Sequence, residues 1–320
     1  LNGNGRVCEE TKQRILQAAQ EMGYLANSSA RAMKSGRFGS VALLLSTVAN
    51  RSRVSDELWN GIHDELALHD LHLTMAKLDD EELCDGAKVP KLLREWMADG
   101  MLIDYTHAIP PRLLELIHGH HLPAIWINSQ QEGDCIFPND LDAGRRAARH
   151  LVEIGHQRIV YFDFSHGDRH LHHYSARDRR TGVLEVLRAA RRRDEVIELT
   201  PGDYDLHRAT LRQLFGAKNA GKWGASAYGK HEVQMILAAA GEAGWSVGRD
   251  FSLISFGSSG EIYSGYRIST LVVPEREVGR CAVGMLREKI ENPQQSLPPV
   301  AVPFGWCAGD SCIPGGFQAV

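Results

Sequence analysis

The sequence predicts an α/β protein whose body has two lobes of doubly wound parallel sheet, preceded by a short all-helical head. Short apolar runs alternate with amphipathic helices over residues 40–270, and the alternation occurs in two successive series. A helix followed by a short basic segment before residue 40 predicts the head. Because ligands bind such sheets at the carboxyl ends of their strands, we expect a binding cleft between the lobes.

The composition is that of an ordinary globular chain. Its 320 residues are 43% hydrophobic and 24% charged, which is long enough for more than one core. There is no apolar run of about 18 residues that would predict a membrane span. Six scattered cysteines without C-x-x-C pairs and the lack of any export signal favour a reduced, cytoplasmic protein with neither metal nor cofactor.

The head is predicted to contain two helices. In the first, Ile15, Leu16, Ala19 and Met22 recur at helical spacing, and the glycine that follows ends the run. The second, within residues 27–36, is too short to be stable alone in water. The first 40 residues hold six basic and three acidic side chains in a chain of net charge −4, which indicates a polyanionic partner for the head.

The first α/β series follows the head. Residues 41–45 form a continuous apolar run, which is typical of a buried parallel strand, and Leu58, Ile62 and Leu66 mark an amphipathic helix after it. The later predicted strands of this series are residues 71–76, 101–103 and 124–127, and its later helices are residues 92–97 and 113–117.

The second series begins after about residue 155 and repeats the pattern. Its predicted strands are residues 158–162, 224–227 and 251–254, and its predicted helices are residues 182–190 and 235–240. We find no nucleophile motif, phosphate-binding glycine loop or H-E-x-x-H, so the sequence predicts that the protein is not an enzyme.

Several motifs, in order along nearly the whole chain, resemble those of the LacI/GalR transcription regulators. The family has a capped helix ending in L-G-Y, which resembles the stretch from Val7-Cys8-Glu9-Glu10-Thr11 through E-M-G-Y at 21–24. Its N-x-x-A-R-x-L motif and basic linker resemble residues 27–36. The body motifs are A-G-R at 143–145, H-L at 150–151, G-H-Q-R-I at 155–159, S-A-R-D-R with Gly182 at 175–182, E-A-G at 242–244 and S-L-I-S-F at 252–256.

The resemblance implies a regulator, acting as a repressor, with three parts. Residues 1–26 would be a truncated helix-turn-helix head, because Leu-Asn-Gly ends the family's recognition helix. Residues 27–38 would be the hinge helix and linker. Residues 39–320 would be a periplasmic-binding-protein-like (type I) domain that forms a homodimer and binds a small molecule, most simply a sugar or sugar derivative. Its lobes would be residues 39–156 with 275–291, and residues 157–274, with the C-terminal strands shared.

The hinge segment supplies the candidate contacts to operator DNA. Met33 stands where the family has a leucine that enters the minor groove between base steps, although packing on the dimer mate is compatible with the same position. Arg31 and Lys34 would meet phosphates or the groove, so binding would weaken as salt rises; as lone charges they would be plain solvated residues. Asn27 and Ser28, at the start of the hinge helix, complete the set.

Five residues are candidates for effector binding. Arg179 matches the arginine that reaches the effector in the family; a surface arginine at a helix start is the alternative. Asn128 follows a strand and would bind hydroxyls or form a turn. Tyr228 would offer a stacking face, and Lys230 and Ser258 stand beside it or at the end of the late strand.

The sequence departs from the family pattern around these residues. Val54-Ser55 replaces an aromatic pair, Gly229-Lys230 replaces N-D, and Gly257 replaces the aspartate of G-F-D. A carboxylate is thereby lost and a lysine gained near the cleft. We therefore expect an anionic or otherwise unusual effector, such as an acidic sugar.

Three alternatives stay open from the sequence. The histidine-rich residues 166–173 are interpreted as a polar loop near the cleft mouth, although clustered imidazoles also suit a metal. A solute-binding receptor would share the body fold but would not need residues 9–36. An enzyme would need an acid–base or nucleophile set in the cleft.

Overall fold

A computed structural model describes residues 8–23, 36–80, 97–164, 173–200, 202–216 and 223–312. The five candidate DNA-binding residues, most of the helix predicted at 92–97 and all but the last of the histidine-rich residues lie outside these ranges.

The described chain alternates helices and strands. The helices are α1 (Glu9–Glu21), α2 (Asp56–Leu68), α3 (Pro111–Gly119), α4 (Asp140–Glu153), α5 (Tyr174–Ala189), α6 (Tyr204–Gly216), α7 (Lys230–Glu242) and α8 (Glu275–Glu291). The strands are β1 (Ser40–Ser46), β2 (His72–Leu78), β3 (Gly100–Asp104), β4 (Ala124–Ile127), β5 (Cys135–Pro138), β6 (Arg158–Asp163), β7 (Arg193–Glu198), β8 (Gly224–Ala227), β9 (Ser252–Gly257), β10 (Ile262–Tyr263), β11 (Tyr266–Arg267), β12 (Ser269–Val272), β13 (Val300–Val302) and β14 (Gly305–Cys307).

Two six-stranded sheets form the body, as the sequence predicts. The first has the order β13-β5-β4-β3-β1-β2 and every neighbouring pair in it is parallel. The second has the order β14-β12-β9-β8-β6-β7, in which β14 alone runs antiparallel to its neighbour. This is the predicted α/β architecture of two doubly wound sheets. In the first sheet, β1 and β3 are neighbouring parallel strands, so their carboxyl ends are adjacent.

The first sheet is covered on both faces, which explains why β1 is apolar throughout. From Val41 to Ser46 every residue of β1 is buried. Leu58, Ile62 and Leu66 of α2 pack on one face of the sheet together with α8. A strand that is buried on both faces loses the alternation of apolar and polar residues that marks a half-exposed strand.

Helix α4 packs with the second sheet. Its Ala143, Ala147 and Leu151 join the core that contains Ile159 and Tyr161 of β6. The expected first lobe runs to residue 156, whereas this packing puts the change of lobe before α4. We therefore propose that the chain first crosses between the lobes at residues 138–140.

Helix α5 begins well before the predicted start at Gly182. The side chain of His173 caps it by accepting a hydrogen bond from the Ser175 backbone amide. Arg179 is therefore inside the helix, not at its start. The sequence pattern does not predict β5, β7, α6 or the short strands from β10 onward. In β7, for example, only two apolar residues are consecutive.

Helix α1 confirms the first helix predicted for the head. Cys8 makes no side-chain capping hydrogen bond, and Gly23 follows the helix with a φ of 59°, in the left-handed region that favours glycine. Ile15 and Leu16 are about half exposed. No described helix combines the length and apolar character needed to cross a membrane.

Candidate functional site

A cavity of about 550 Å³ lies between the lobes, at the carboxyl ends of the strands. Its first-lobe wall includes Asn50, Arg53, Ser55, Thr106, His107 and Asn128. Its second-lobe wall includes Ser175, Arg179, Tyr228, Lys230, Phe256 and Ser258. The groups that reach it are mostly hydroxyls, amides and charges, with two aromatic rings, which is a composition suited to a polar ligand.

All five residues that the sequence singles out for effector binding line this one cavity: Arg179, Asn128, Tyr228, Lys230 and Ser258. Lys230 is the first residue of α7, and Ser258 follows β9; both are exposed. The first turn of a helix and the residue after a parallel strand both point toward the carboxyl edge of the sheet, which is why separate motifs meet there.

Arg179 is buried, with 8% of its surface exposed, so the alternative of a surface arginine is wrong. Its Nε donates to Asp140 Oδ1 at 2.7 Å, and its Nη1 donates to the Tyr228 carbonyl oxygen at 2.8 Å. The guanidinium carbon lies 4.8 Å from the Tyr228 ring centroid and 4.7 Å from that of Phe256. Arg179 therefore holds α4, α5 and β9 together at the cavity wall, with its fork partly used by protein groups.

The carboxylate of Asp140 is nearly inaccessible and depends on this arginine. Its side chain is 1% exposed. Burial raises the pKa of Asp140, and the charge of Arg179 works against that rise. Since an unpaired buried carboxylate is costly, the pair is a structural unit as well as part of the cavity wall.

Two glycines bring the pair together. A β-carbon on Gly144 of α4 would lie 2.2 Å from the carbonyl oxygen of Arg179, and one on Gly182 of α5 would lie 2.2 Å from that of Leu141. No side chain fits at either place, so the backbones of α4 and α5 touch. Gly182 thus serves helix packing, and that packing sets the place of Arg179 beside Asp140.

Asn128 joins the two lobes through its backbone. Its φ of 53° places it in the left-handed region, so it does form the turn that the sequence offered as one interpretation. Its carbonyl oxygen lies 3.2 Å from Nε2 of His173 in the second lobe. The Ser175 amide donates to Nδ1 of His173, so the proton of the neutral ring is on Nε2 and is donated to Asn128.

Burial, and then the nearby charge of Arg179, lower the pKa of His173 to about 3. Unfolded histidine takes up a proton near its ordinary pKa of 6.5, so the folded state resists a protonation that the unfolded state accepts. The stability that neutral His173 contributes is therefore present above pH 6.5 and is lost as the pH falls toward 3.

We predict that protonation of His173 in the unfolded state lowers the unfolding free energy of the wild-type protein by about 2 kcal/mol as the pH falls from neutral to 5. In a His173→Gln variant the amide can still donate to Asn128 but cannot titrate, so its loss over the same interval should be smaller by that amount. Urea unfolding of both proteins at the two pH values measures the difference. Equal losses would contradict the prediction.

Tyr228 has one ring face already covered. Its hydroxyl lies 2.8 Å from Ser175 Oγ, and the guanidinium of Arg179 lies over the ring. The predicted stacking role is therefore limited to the face that Arg179 leaves open. The hydroxyl contact also ties β8 and the residue after it to the first turn of α5.

The sequence reading missed Arg53 and Glu275. Arg53 is exposed on the connection between β1 and α2, next to Ser55, whose hydroxyl caps α2 by accepting from the Leu58 amide at 3.1 Å. Glu275 begins α8, and burial raises its pKa. Arg53 could have been predicted from the sequence, because it lies between a buried strand and the N-cap serine Ser55. No sequence pattern marks Glu275, because its neighbours in the cavity are distant in sequence.

The cavity carries three cations and two carboxylates. The cations are Arg53, Arg179 and Lys230, and the carboxylates are Asp140 and Glu275. Asp140 is neutralised by Arg179, whereas Lys230 makes no salt bridge to any described residue. The described residues contain no cluster of three or more histidine, cysteine or acidic side chains that would hold a metal.

The chain matches two family profiles that overlap in the body. The first, described as periplasmic binding proteins and sugar binding domain of LacI family, covers residues 40–216. The second, described as a periplasmic binding protein-like domain, covers residues 148–312. The first profile alone spans more than half of the chain.

Curated relatives and solved structures agree with these matches. The ribose operon repressor of Bacillus subtilis is 26% identical over 290 residues, which cover 89% of this chain and 84% of the repressor. The Lac repressor bound to ONPG is similar in structure, with a TM-score of 0.75 and 17% identity over 97% of this chain and 93% of that one. A regulator from Enterococcus faecium with bound ribose has a TM-score of 0.65 and 19% identity, covering 86% and 99% of the two chains. The chain belongs to the LacI family of ligand-responsive transcriptional regulators.

Proposed function

We propose that this regulator binds a sugar or sugar derivative that carries an anionic group, and that the effector changes operator affinity by drawing the lobes together. The observation that carries the proposal is that Arg53 from one lobe and Lys230 from the other line a single cavity rich in hydroxyl-binding groups. An anion between these two cations is attracted to both lobes at once.

The carbohydrate class is supported by the cavity wall and by the relatives. Asn50, Asn128, Ser55 and Thr106 supply amide and hydroxyl groups that exchange hydrogen bonds with a polyol, and Phe256 supplies an apolar ring. The relatives include a ribose operon repressor and a structure with bound ribose. Neither has to share its effector with this chain, because their identity to it is below 30%.

Hydrogen bonds between the lobes stabilise the present arrangement over a more open one, and an effector would shift the equilibrium between the two. Besides the His173–Asn128 contact, Gln130 of the first lobe donates to Asp178 Oδ2 at 2.7 Å and accepts from Arg177 Nη2 at 2.8 Å. A ligand that favours this arrangement over a more open one shifts the population by its difference in affinity for the two states.

We further propose the following division of the chain and its partners. Residues 1–26 are the head, residues 27–38 the hinge, and residues 39–320 the body, which acts as a homodimer and a repressor. The paired hinge segments would contact operator DNA through Asn27, Ser28, Arg31, Met33 and Lys34.

Matched pairs of neutral and acidic sugars test the effector class. We expect glucuronate or ribose 5-phosphate to raise the melting temperature where glucose or ribose does not. A ligand at about 100 times its Kd stabilises the folded state by about 2.7 kcal/mol, which a thermal-shift assay resolves. Stabilisation by neutral sugars alone would contradict an anionic effector while leaving the membership in the family unchanged.

Replacing Lys230 by glutamine tests the charge directly. We predict that Lys230→Gln weakens binding of the acidic sugar by about tenfold to a hundredfold, since a hydrogen bond to a charged group contributes about 1.5 to 3 kcal/mol. Lys77→Gln is the matched control, because Lys77 is exposed on β2 and does not line the cavity. Isothermal titration calorimetry measures both, and equal affinities would refute a role for Lys230.

A further inference from the structure

The connection from β1 to α2, residues 47–55, is fastened to the end of β3 by a set of hydrogen bonds. Thr106 donates to the Arg51 carbonyl oxygen through its amide at 2.9 Å and through its hydroxyl at 2.8 Å. The Ser46 amide donates to Ser52 Oγ at 2.8 Å, and the Ser52 hydroxyl in turn donates to the Asp104 carbonyl oxygen. This 47–55 segment carries Asn50, Arg53 and Ser55 to the cavity.

Asp104, the last residue of β3, lies beneath the 47–55 segment and is completely buried. Its Oδ2 accepts a hydrogen bond from the backbone amide of Arg53 at 2.7 Å. Its Oδ1 is also buried and has no hydrogen-bond partner among the described residues. Asp104 therefore differs from Asp140, whose carboxylate is paired with an arginine.

We propose that Asp104 is a positioning residue of the effector site. Loss of the proton from its buried carboxyl group holds the 47–55 segment, which presents Arg53 to the cavity, more firmly, and gain of the proton loosens that segment. The inference rests on the proposed function, since it assigns the cavity to the effector. The proton is exchanged with solvent, and Asp104 itself does not line the cavity.

Two opposing features of the geometry make the proton exchangeable. The hydrogen bond from the Arg53 backbone amide to Asp104 is charge-assisted when the carboxyl group is ionised, and it weakens when the carboxyl group is neutral. Complete burial and the unpartnered Oδ1 favour the neutral form. Burial raises the pKa of Asp104 to about 7; the Arg53 amide opposes the rise and the charge of Glu275 adds to it.

The other charged or titratable groups near Asp104 form hydrogen bonds with other residues or act electrostatically on other groups. Arg51, in the 47–55 segment, donates to Ser46 Oγ and to both carboxylate oxygens of Asp80. Tyr105 donates to the Leu78 carbonyl oxygen, and His107 lies 3.0 Å from the Thr106 hydroxyl. The charge of Arg53 acts on Glu275, at the start of α8. None of these groups forms a hydrogen bond with Asp104 Oδ1, which stays available for a proton.

Amide hydrogen exchange of the protein without effector tests the proposal. We expect the protection factor of the Arg53 amide to be about fivefold higher near pH 8.5 than near pH 5.5, once intrinsic exchange rates are divided out. In Asp104→Asn, which cannot ionise, the protection factor should not change with pH.

Asp99→Asn is the matched control. Asp99 precedes β3 and accepts the amides of Phe38 and Gly39 at 2.7 and 2.9 Å, at the opposite end of the strand. This variant should keep the wild-type pH profile at Arg53. A wild-type profile that is flat, or one that persists in Asp104→Asn, would overturn the proposal.

A second measurement does not need a variant. Titration of the ¹³C-labelled carboxyl carbon of Asp104 in the wild-type protein should show an apparent pKa of about 7. Titration in the ordinary range of aspartate, about 4, would overturn the proposal. Neither measurement uses a sugar, so failure of the acidic-sugar screen and failure of this inference are distinguishable.

Discussion

Replacing Arg179 by methionine is expected to abolish binding of the acidic sugar and to lower the unfolding free energy by about 3 to 5 kcal/mol. The guanidinium is the only described cation within salt-bridge distance of Asp140, whose side chain is 1% exposed. Without it the carboxylate is buried and uncompensated. The loss should be largest above neutral pH, because burial already raises the pKa of Asp140 and protonation relieves the charge as the pH falls.

The double variant Arg179→Met with Asp140→Asn separates stability from binding. Removing both charges should restore most of the unfolding free energy, since no unpaired ion is left in the interior. Sugar binding should stay lost, because the donors at the cavity wall are gone. Urea unfolding and calorimetry on the wild-type protein, Arg179→Met, Asp140→Asn and the double variant measure the two effects. A double variant as unstable as Arg179→Met would show that the ion pair is not the source of the loss.

Replacing Gly182 by alanine is expected to destabilise the fold by about 3 kcal/mol or more, although alanine is the better helix former. The added β-carbon would lie 2.2 Å from the Leu141 carbonyl oxygen and 2.8 Å from the Arg145 amide nitrogen, both of them backbone atoms. Helices α4 and α5 must separate to admit it. Because Asp140 and Arg179 lie on those two helices, binding of the acidic sugar should weaken as well.

Gly241→Ala in α7 is the matched control for this prediction. No described atom outside its own helix lies within 4 Å of a β-carbon placed on Gly241, which is exposed in the last turn of α7. It should stabilise the protein by about 0.5 to 1 kcal/mol. Thermal and urea unfolding compare the two substitutions. If both shift stability in the same direction, then close backbone contact is not what requires glycine at position 182.

The two-sheet architecture could be predicted because its signals are local. Val41 to Leu45 is a continuous apolar run, and such a run is buried wherever both faces of a parallel strand are covered. Leu58, Ile62 and Leu66 recur at helical spacing, so α2 follows from periodicity. In contrast, β7 has the sequence Arg-Asp-Glu-Val-Ile-Glu and is an edge strand of its sheet, where polar residues are tolerated.

The candidate site was predicted in part. Motif positions predict five effector-binding residues, and all five line one cavity: Arg179, Asn128, Tyr228, Lys230 and Ser258. Motif positions do not predict the partners of these residues. Nothing near Arg179 in the chain marks Asp140 as its ion-pair partner, and the capping role of His173 depends on where α5 begins, which the apolar pattern placed too late.

The sequence by itself determined the alternation of strands and helices, the two series and the membership in a family of regulators, because periodicity and motifs are read within about 20 residues of chain. Only the tertiary structure decided the electrostatic state of the site. Whether a charge is paired, buried or free depends on groups that are distant in sequence. Lys230 is exposed and without a salt bridge to any described residue, Arg179 is paired at the contact of two helices, and Asp104 is buried with one oxygen unpartnered among the described residues.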